Sequence, residues 1–524
     1  MSRTANSSEE IYFCLPGQPH ARRVVGTARY DGARMASEEV SYGARMASEE
    51  ISYWRELKLM VRLALPSAVV NGLRMAQMLT DQAVIGHLRD NMGGTTPVYL
   101  DAASLALLWM TLTLSVVKRG LVNSITMLVS QALGAGNRHL ADTWLLTGVL
   151  IAVPGTLLIS GAWLCTSNVV GLFAHNQTIG HGAESADGVM PAVFADAMLL
   201  PSPAAVFSTP MGSEIGGVGD PVELAGLYAR LAIGCILPTL WMEALHAWLL
   251  AQRVIKPQLL VYSACLVLNL VLNIGFVHGF GDFPGFGFTG SPLATTATRV
   301  LQLLLLLLAI PLARISLPRP RVAEAIRPQR LRVFFAQFAP RMLSTLLEEV
   351  ALQTIGALAG RLDAVDSATH NAMLMIFFWL TSPMYGVGTA TQQRLGYHLG
   401  AGDSKSAKKV AWICLGLSEA IAFAVAATMV AIRNDIGKLF SNDERIVHTV
   451  AAIVPLVAGA YCLVGCFYAT MAVLGAQGRP QPVALAFFLG AFLIAPSSGY
   501  ALTFVVHCEA CSNGNLPPQP PLPW

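Results

Sequence analysis

Residues 77–88 read QMLTDQAVIGHL, which sets one carboxylate, Asp81, in a run otherwise built largely from Met, Leu, Val, Ile and Ala. What that charge means depends on where the run lies. Of the 524 residues, 54% are hydrophobic and 12% charged, against about 25% charged in soluble domains. Mean hydropathy is +0.55. A membrane-spanning helix takes about 20 apolar residues, so this composition fits an all-α integral membrane protein in which Asp81 sits within a span. The formal net charge of +3 gives no reason to expect nucleic acid as a partner.

Working outward, apolar runs recur at 63–86, 102–133, 144–173, 224–251, 259–280 and 292–313. After an Arg-rich connection, five more occupy 333–359, 368–399, 410–432, 446–474 and 482–506. Sliding-window reasoning makes each a span, eleven in all. The expected organisation is a polar tail (1–56), a first lobe of six spans (57–313), an Arg-rich linker (314–332), a second lobe of five (333–506) and a Pro-rich tail (507–524). The third loop, 175–223, is long, acidic and free of Lys and Arg.

Lys and Arg concentrate in the even-numbered loops, among them Arg138, Arg253, Lys256, Arg319, Lys405, Lys408 and Arg479. By the positive-inside rule the N-terminus is cytoplasmic. Six cysteines lie in apolar runs, where a thiol behaves as a small hydrophobe, and no disulfide framework is implied. Cys508 and Cys511 have metal-ligand spacing but no second pair, so neither a metal nor a cofactor is expected.

The two halves echo each other. QALGAGN, ending at Asn137 after the second span, returns as YHLGAGD, ending at Asp403 after the eighth, and AQRVIKPQ at Ala251 returns as AQGRPQ at Ala476. Internal repeats of this kind are a common architecture of secondary transporters.

At these residues the chain resembles the multidrug and toxic compound extrusion (MATE) family. The resemblance rests on DQAVIGHL, SQALGAGN, LLAQRVIKPQ, NLVLNIGF, GSPLATT, LEE and RLGYHLGAGD, in that order from the first span to the eighth. It implies two six-helix lobes and an antiporter that exports organic cations and other amphipathic compounds against protons or sodium. A twelfth span, which the family has, finds no counterpart here. A monomer in the plasma membrane or an organelle membrane is the expected setting.

Intramembrane acids are functional by default. Asp81 matches the first-lobe coupling aspartate of prokaryotic members, and Glu348 matches a glutamate of eukaryotic members. Gln353 stands where the family has a second acid. Asn269 and Asn273, four apart, share one helix face, suited either to relaying a hydrogen bond to Asp81 or to gluing helices together. Lys118 and Arg119, adjacent cations inside the second span, are costly unless they face water or acids. Facing the cavity, they would pair with Asp81 or favour anionic substrates; otherwise they snorkel. Glu243 and His246, three apart in the fourth span, match no family motif.

The resulting expectation is an exporter in which protonation of Asp81 or Glu348 biases which side is open. Its rivals are a truncated regulatory form that no longer transports, and a lipid-linked flippase. With no nucleophile motif, phosphate loop or paired metal ligands, an enzyme is not expected.

Overall fold

The computed structural model describes residues 52–86, 96–171, 221–313, 315, 321–359, 364–437 and 444–501. The third loop, both tails with Cys508 and Cys511, and part of the Arg-rich linker fall outside the described residues. Among those described, the chain is helical apart from turns and one isolated bridge between Phe280 and Phe283. In lipid this is the expected solution, since a helix satisfies its own backbone hydrogen bonds.

The first half comprises α1 (Tyr53–Gly86), α2 (Thr96–Gly134), α3 (Arg138–Leu164), α4 (Pro221–Ala232), α5 (Ile236–Ala251), α6 (Lys256–His278) and α7 (Gly290–Leu312). A short 3₁₀ turn joins α4 to α5, so that they run on as one span. After the single turn α8 (Val322–Ala325) come α9 (Pro328–Ala359), α10 (Ala364–Gly400), α11 (Ser404–Ala431), the turn α12 (Arg433–Ile436) and α13 (Glu444–Ala476). The last span is α14 (Pro480–Ala486), a π-helical stretch (Phe487–Ile494) and α15 (Ala495–Tyr500).

Every expected span coincides with a helix. Nine are long and apolar enough to cross a membrane among the described residues. The two that fall short, α9 and α10, carry interior charges, including Arg341, Glu348, Glu349 and Arg394. The outer surface is apolar: Leu157 and Leu158 are 70% and 76% exposed, as befits side chains whose solvent is hydrocarbon.

The largest buried cluster is built mainly from α1 to α7 but takes in Phe334 and Phe338 from the start of α9. A second cluster joins Met60, Leu63 and Ala64 from the start of α1 to α10, α11 and α13. The opening helix of each half therefore begins in the core of the other. α1 packs along α10, and α2 packs along both α9 and α10.

The repeated turns explain how the halves meet. Gly136 and Gly402 take φ of +74° and +75°, a left-handed conformation open to glycine at little cost. Asn137 and Asp403 then cap the next helices, accepting from the amides of Leu140 at 2.9 Å and Ser406 at 3.0 Å. The glycine just before each turn lies against the other repeat. A Cβ on Gly134 would stand 2.0 Å from the Tyr397 carbonyl oxygen, and one on Gly400 would stand 2.0 Å from that of Gln131. Only glycine lets the backbones approach so closely. In the AQR/AQG repeat, Gly478 has φ of +72° and its counterpart Arg253 has φ of 65°, with Arg253 stacked over the Tyr397 ring at 5.3 Å.

Candidate functional site

α1 carries Asn71, Arg74, Gln77 and Asp81 at spacings of three, three and four. At 100° per residue they fall within an arc of about 120°, forming one polar stripe on an otherwise apolar helix. Each residue of the stripe meets a different partner.

Asp81, 6% exposed, accepts three hydrogen bonds. Asn269 Nδ2 (3.1 Å) and Asn273 Nδ2 (2.8 Å) donate to Oδ1, and Thr295 Oγ1 donates to Oδ2 at 3.0 Å. The helical i, i+4 spacing on α6 brings both amides to one carboxylate oxygen, and α7 supplies the hydroxyl. Three donors around one carboxyl suit its ionised form, which only accepts. A proton arriving on Oδ1 would face two N–H donors, so binding it requires an amide to turn. The Oδ1 atoms of Asn269 and Asn273 are buried with no hydrogen-bond partner, so each amide has an acceptor free to offer. Nearby, Arg299 donates to Gln77 (2.9 Å) and Gln302 (3.0 Å).

One turn below Gln77, Arg74 Nη2 reaches both Glu243 Oε2 (2.8 Å) and the Tyr262 hydroxyl (2.7 Å), while its guanidinium stacks over the Tyr262 ring at 4.9 Å. Glu243 and His246 thus play different parts: Glu243 pairs with Arg74, and His246 packs edge-on against Tyr262.

Arg119 does not pair with Asp81. It lies 2.7 Å from Glu348 and 3.3 Å from Glu349, because its face of α2 turns toward α9. Ser115, one turn earlier, donates to Glu349 at 3.1 Å. Lys118, about 100° away around the helix, has no carboxylate at ion-pair distance among the described residues; its electrostatic partner is Glu243. The two adjacent cations thus serve different halves. The Gln353 side chain lies outside the described residues.

Between the halves is a cavity. α1, α2 and α5 line it with Asn71, Arg74, Asn123 and His246; α10 and α13 line it with Tyr385, Thr389, Gln392 and Tyr468, and Met384 and Met471 complete an apolar wall. Asp81, Asn269, Asn273, Glu348 and Glu349 do not line it.

Toward the end bearing the repeated turns, a buried charge cluster crosses the interface. Glu56 on α1 accepts from Arg394 Nε on α10 at 3.1 Å and makes a second, shorter contact with Arg394 Nη2; His398 Nε2 lies 3.1 Å from the same carboxylate. Glu56 and Arg394 are 2% and 3% exposed.

Sequence reasoning missed Arg74, Arg299 and Thr295. The two arginines carried the signal that singled out Asp81, a lone charge inside an apolar run; Thr295 carried none.

The MatE family model matches residues 340–500. An uncharacterized transporter of Schizosaccharomyces pombe is 24% identical over 469 residues, covering 86% of this chain and 74% of that protein. Multidrug and toxin extrusion protein 1 of Xenopus tropicalis is 22% identical over 451 residues, covering 86% and 69%. The crystal structure of the eukaryotic MATE transporter AtDTX14 superposes with a TM-score of 0.68 at 20% identity, covering 86% of this chain and 90% of that one. Its likeness is one of fold, while the family match and the relatives along most of the chain carry the kinship. Together they support a MATE family transporter, and members of that family are transporters, not enzymes.

Proposed function

We propose that this protein exports amphipathic organic compounds in exchange for protons or sodium by alternating access, with Asp81 as the coupling group. The observation that carries this reading is the enclosure of Asp81 by Asn269, Asn273 and Thr295, away from the cavity but on the helix that lines it. A proton on Asp81 Oδ1 requires an amide to turn, and one on Oδ2 requires the Thr295 hydroxyl to turn. A sodium ion would instead call on the carboxylate, the hydroxyl and the two unpartnered amide oxygens, an all-oxygen set suited to a hard cation. Either event repositions α1 against α6 and α7. α1 also carries Arg74 into the cavity and Glu56 into the interface, so a change at Asp81 is felt at both. A ligand shifts such an equilibrium only through its different affinity for the two states.

Glu348, matched by resemblance to a second coupling acid, has a built-in cation in Arg119. In this reading it is chiefly an inter-lobe contact between α2 and α9 that opening must rearrange. The basic even-numbered loops support placing the closed end, with its paired glycine turns, at the cytoplasmic face.

The test is gradient-driven efflux of fluorescent organic dyes of different charge from vesicles holding the full chain, under a proton gradient and then a sodium gradient. Asp81→Asn is expected to abolish coupling to the driving ion, and Glu348→Gln to slow exchange while leaving it coupled. Efflux of every dye that is indifferent to both gradients would refute the exchanger, and undiminished coupling in Asp81→Asn would refute the assignment.

A further inference from the structure

The cavity between the halves has one sign of fixed charge. Arg74 is its charged lining residue among those described, and no Asp or Glu lines it. The carboxylate that pairs with Arg74, Glu243, is 3% exposed and does not line the cavity, whereas the Arg74 side chain is 21% exposed. Glu243 also has Lys118 acting on it, so one acid stands against two cations. Arg74 Nε and His246 Nδ1 are buried with no hydrogen-bond partner. Glu348 and Glu349 of the second half are engaged by Arg119.

From this we infer that the transported compound is an amphipathic organic anion, a carboxylate or sulfonate carried on an aromatic body, whose charged group is received by Arg74. The inference rests on taking the inter-lobe cavity as the substrate site. An organic cation entering it would lose water beside a guanidinium with no carboxylate to meet it, an uncompensated cost. An anionic headgroup meets the guanidinium donors that Glu243 and Tyr262, both on Nη2, leave over, a charge-assisted contact, flanked by the amides of Asn123 and Gln392. The rings of Tyr385 and Tyr468 and the thioethers of Met384 and Met471 offer the apolar body a polarizable wall. Exchange then needs no competition between substrate and driving ion for one carboxylate. Arg74 and Asp81 are two turns apart on the same face of α1, and each site senses the other through the position of that helix.

Two xanthene dyes of similar body and opposite charge make the test: fluorescein, a carboxylate, and rhodamine 6G, a cation. Each is titrated by fluorescence anisotropy against the purified full chain in nanodiscs, with empty nanodiscs as the partition blank. Fluorescein is expected to bind at least tenfold more tightly than rhodamine 6G, Arg74→Gln to weaken fluorescein at least tenfold, and Arg74→Lys to recover part of the loss. Asn123→Asp, which puts a carboxylate on the cavity wall without touching the ion pair, is expected to weaken fluorescein tenfold and strengthen rhodamine 6G; it decides the matter if Arg74→Gln fails to fold. Rhodamine 6G binding as tightly as fluorescein, or fluorescein binding indifferent to these substitutions in folded protein, overturns the inference. Binding is read without any gradient, so this result stands apart from the exchange test: loss of the anion preference leaves coupled transport standing, and loss of coupling leaves the preference.

Discussion

Replacing Glu56 with Gln removes one charge from the buried cluster that joins α1 to α10 while keeping its shape. Arg394, 3% exposed, is then left in the closed interface without a counter-ion, and its Nη1 already lacks a partner there. Removing one member of a buried pair costs about 3–5 kcal/mol, with no discount for screening at this burial. When the halves part at this end, Arg394 meets water and the penalty disappears, so it falls almost wholly on the closed state. At about 1.4 kcal/mol per tenfold, the ratio of open to closed rises by roughly two to three and a half orders of magnitude. Ser130 reports it: this α2 side chain is 1% exposed, and a Cβ on Gly396 of α10 would stand 3.0 Å from its Cβ. Alkylation of Ser130→Cys by a water-soluble maleimide, followed site by site by mass spectrometry in nanodiscs, is expected to accelerate about 100-fold or more with Glu56→Gln. A change below about threefold would refute the view that this cluster holds the end closed, since the penalty would then be shared equally by both states.

Three further predictions follow from other contacts. A Gly134→Ala or Gly400→Ala substitution drives a methyl into the opposing backbone and is expected to raise the same alkylation rate, whereas Gly72→Ala, with nothing within 4 Å of the added carbon, leaves it unchanged. Arg119→Leu abandons two neighbouring carboxylates; because these side chains are 30%, 17% and 11% exposed, the loss is expected to be about 1–3 kcal/mol rather than the full buried cost. In a double-mutant cycle with Glu348→Gln, thermal unfolding should show coupling of about 0.5 kcal/mol or more, and strict additivity would contradict the pairing. The Asp403 carboxyl is held below its ordinary range: burial pushes it up, but the hydroxyl and amide of Ser406 and the nearby His398 pull it further down. Its cap, worth about 1 kcal/mol, is therefore in full force above the unfolded carboxyl value of about 3.9 and fades as pH falls through the lower folded value. Amide exchange in the first turn of α11 should then quicken in acid relative to that of α3, whose Asn137 cap does not titrate.

The spans were legible because the bilayer demands long apolar runs, and the paired turns because glycine and cap residues leave a spelling in the sequence. The meeting of Asn269 and Asn273 with Asp81 was half legible: their spacing put both amides on one face, but not which neighbour that face met. The partner of Arg119 was hidden for the same reason. Hydropathy ranks helices without fixing their rotation, and the 100° between Lys118 and Arg119 sends one toward Glu243 and the other toward Glu348. Glu56 and Arg394 lie toward span ends, where a charge reads as a solvated flank, and only the packing of α1 along α10 shows them buried. Arg74 was as legible as Asp81 and needed only the same question asked of it.

The stripe on α1 also bears on leakage. Asn71 bonds Ser382 on α10, Arg74 engages α5 and α6, Gln77 receives Arg299 from α7 and Asp81 is held by α6 and α7, so four stations on one rod are keyed to four different neighbours. A small rotation of the rod unseats all of them together and satisfies none until new partners are found. Such a rod rests in discrete positions, like a key among tumblers, rather than sliding through a continuum. A carrier built around such a rod has no comfortable half-open posture, and without one there is little room for leakage.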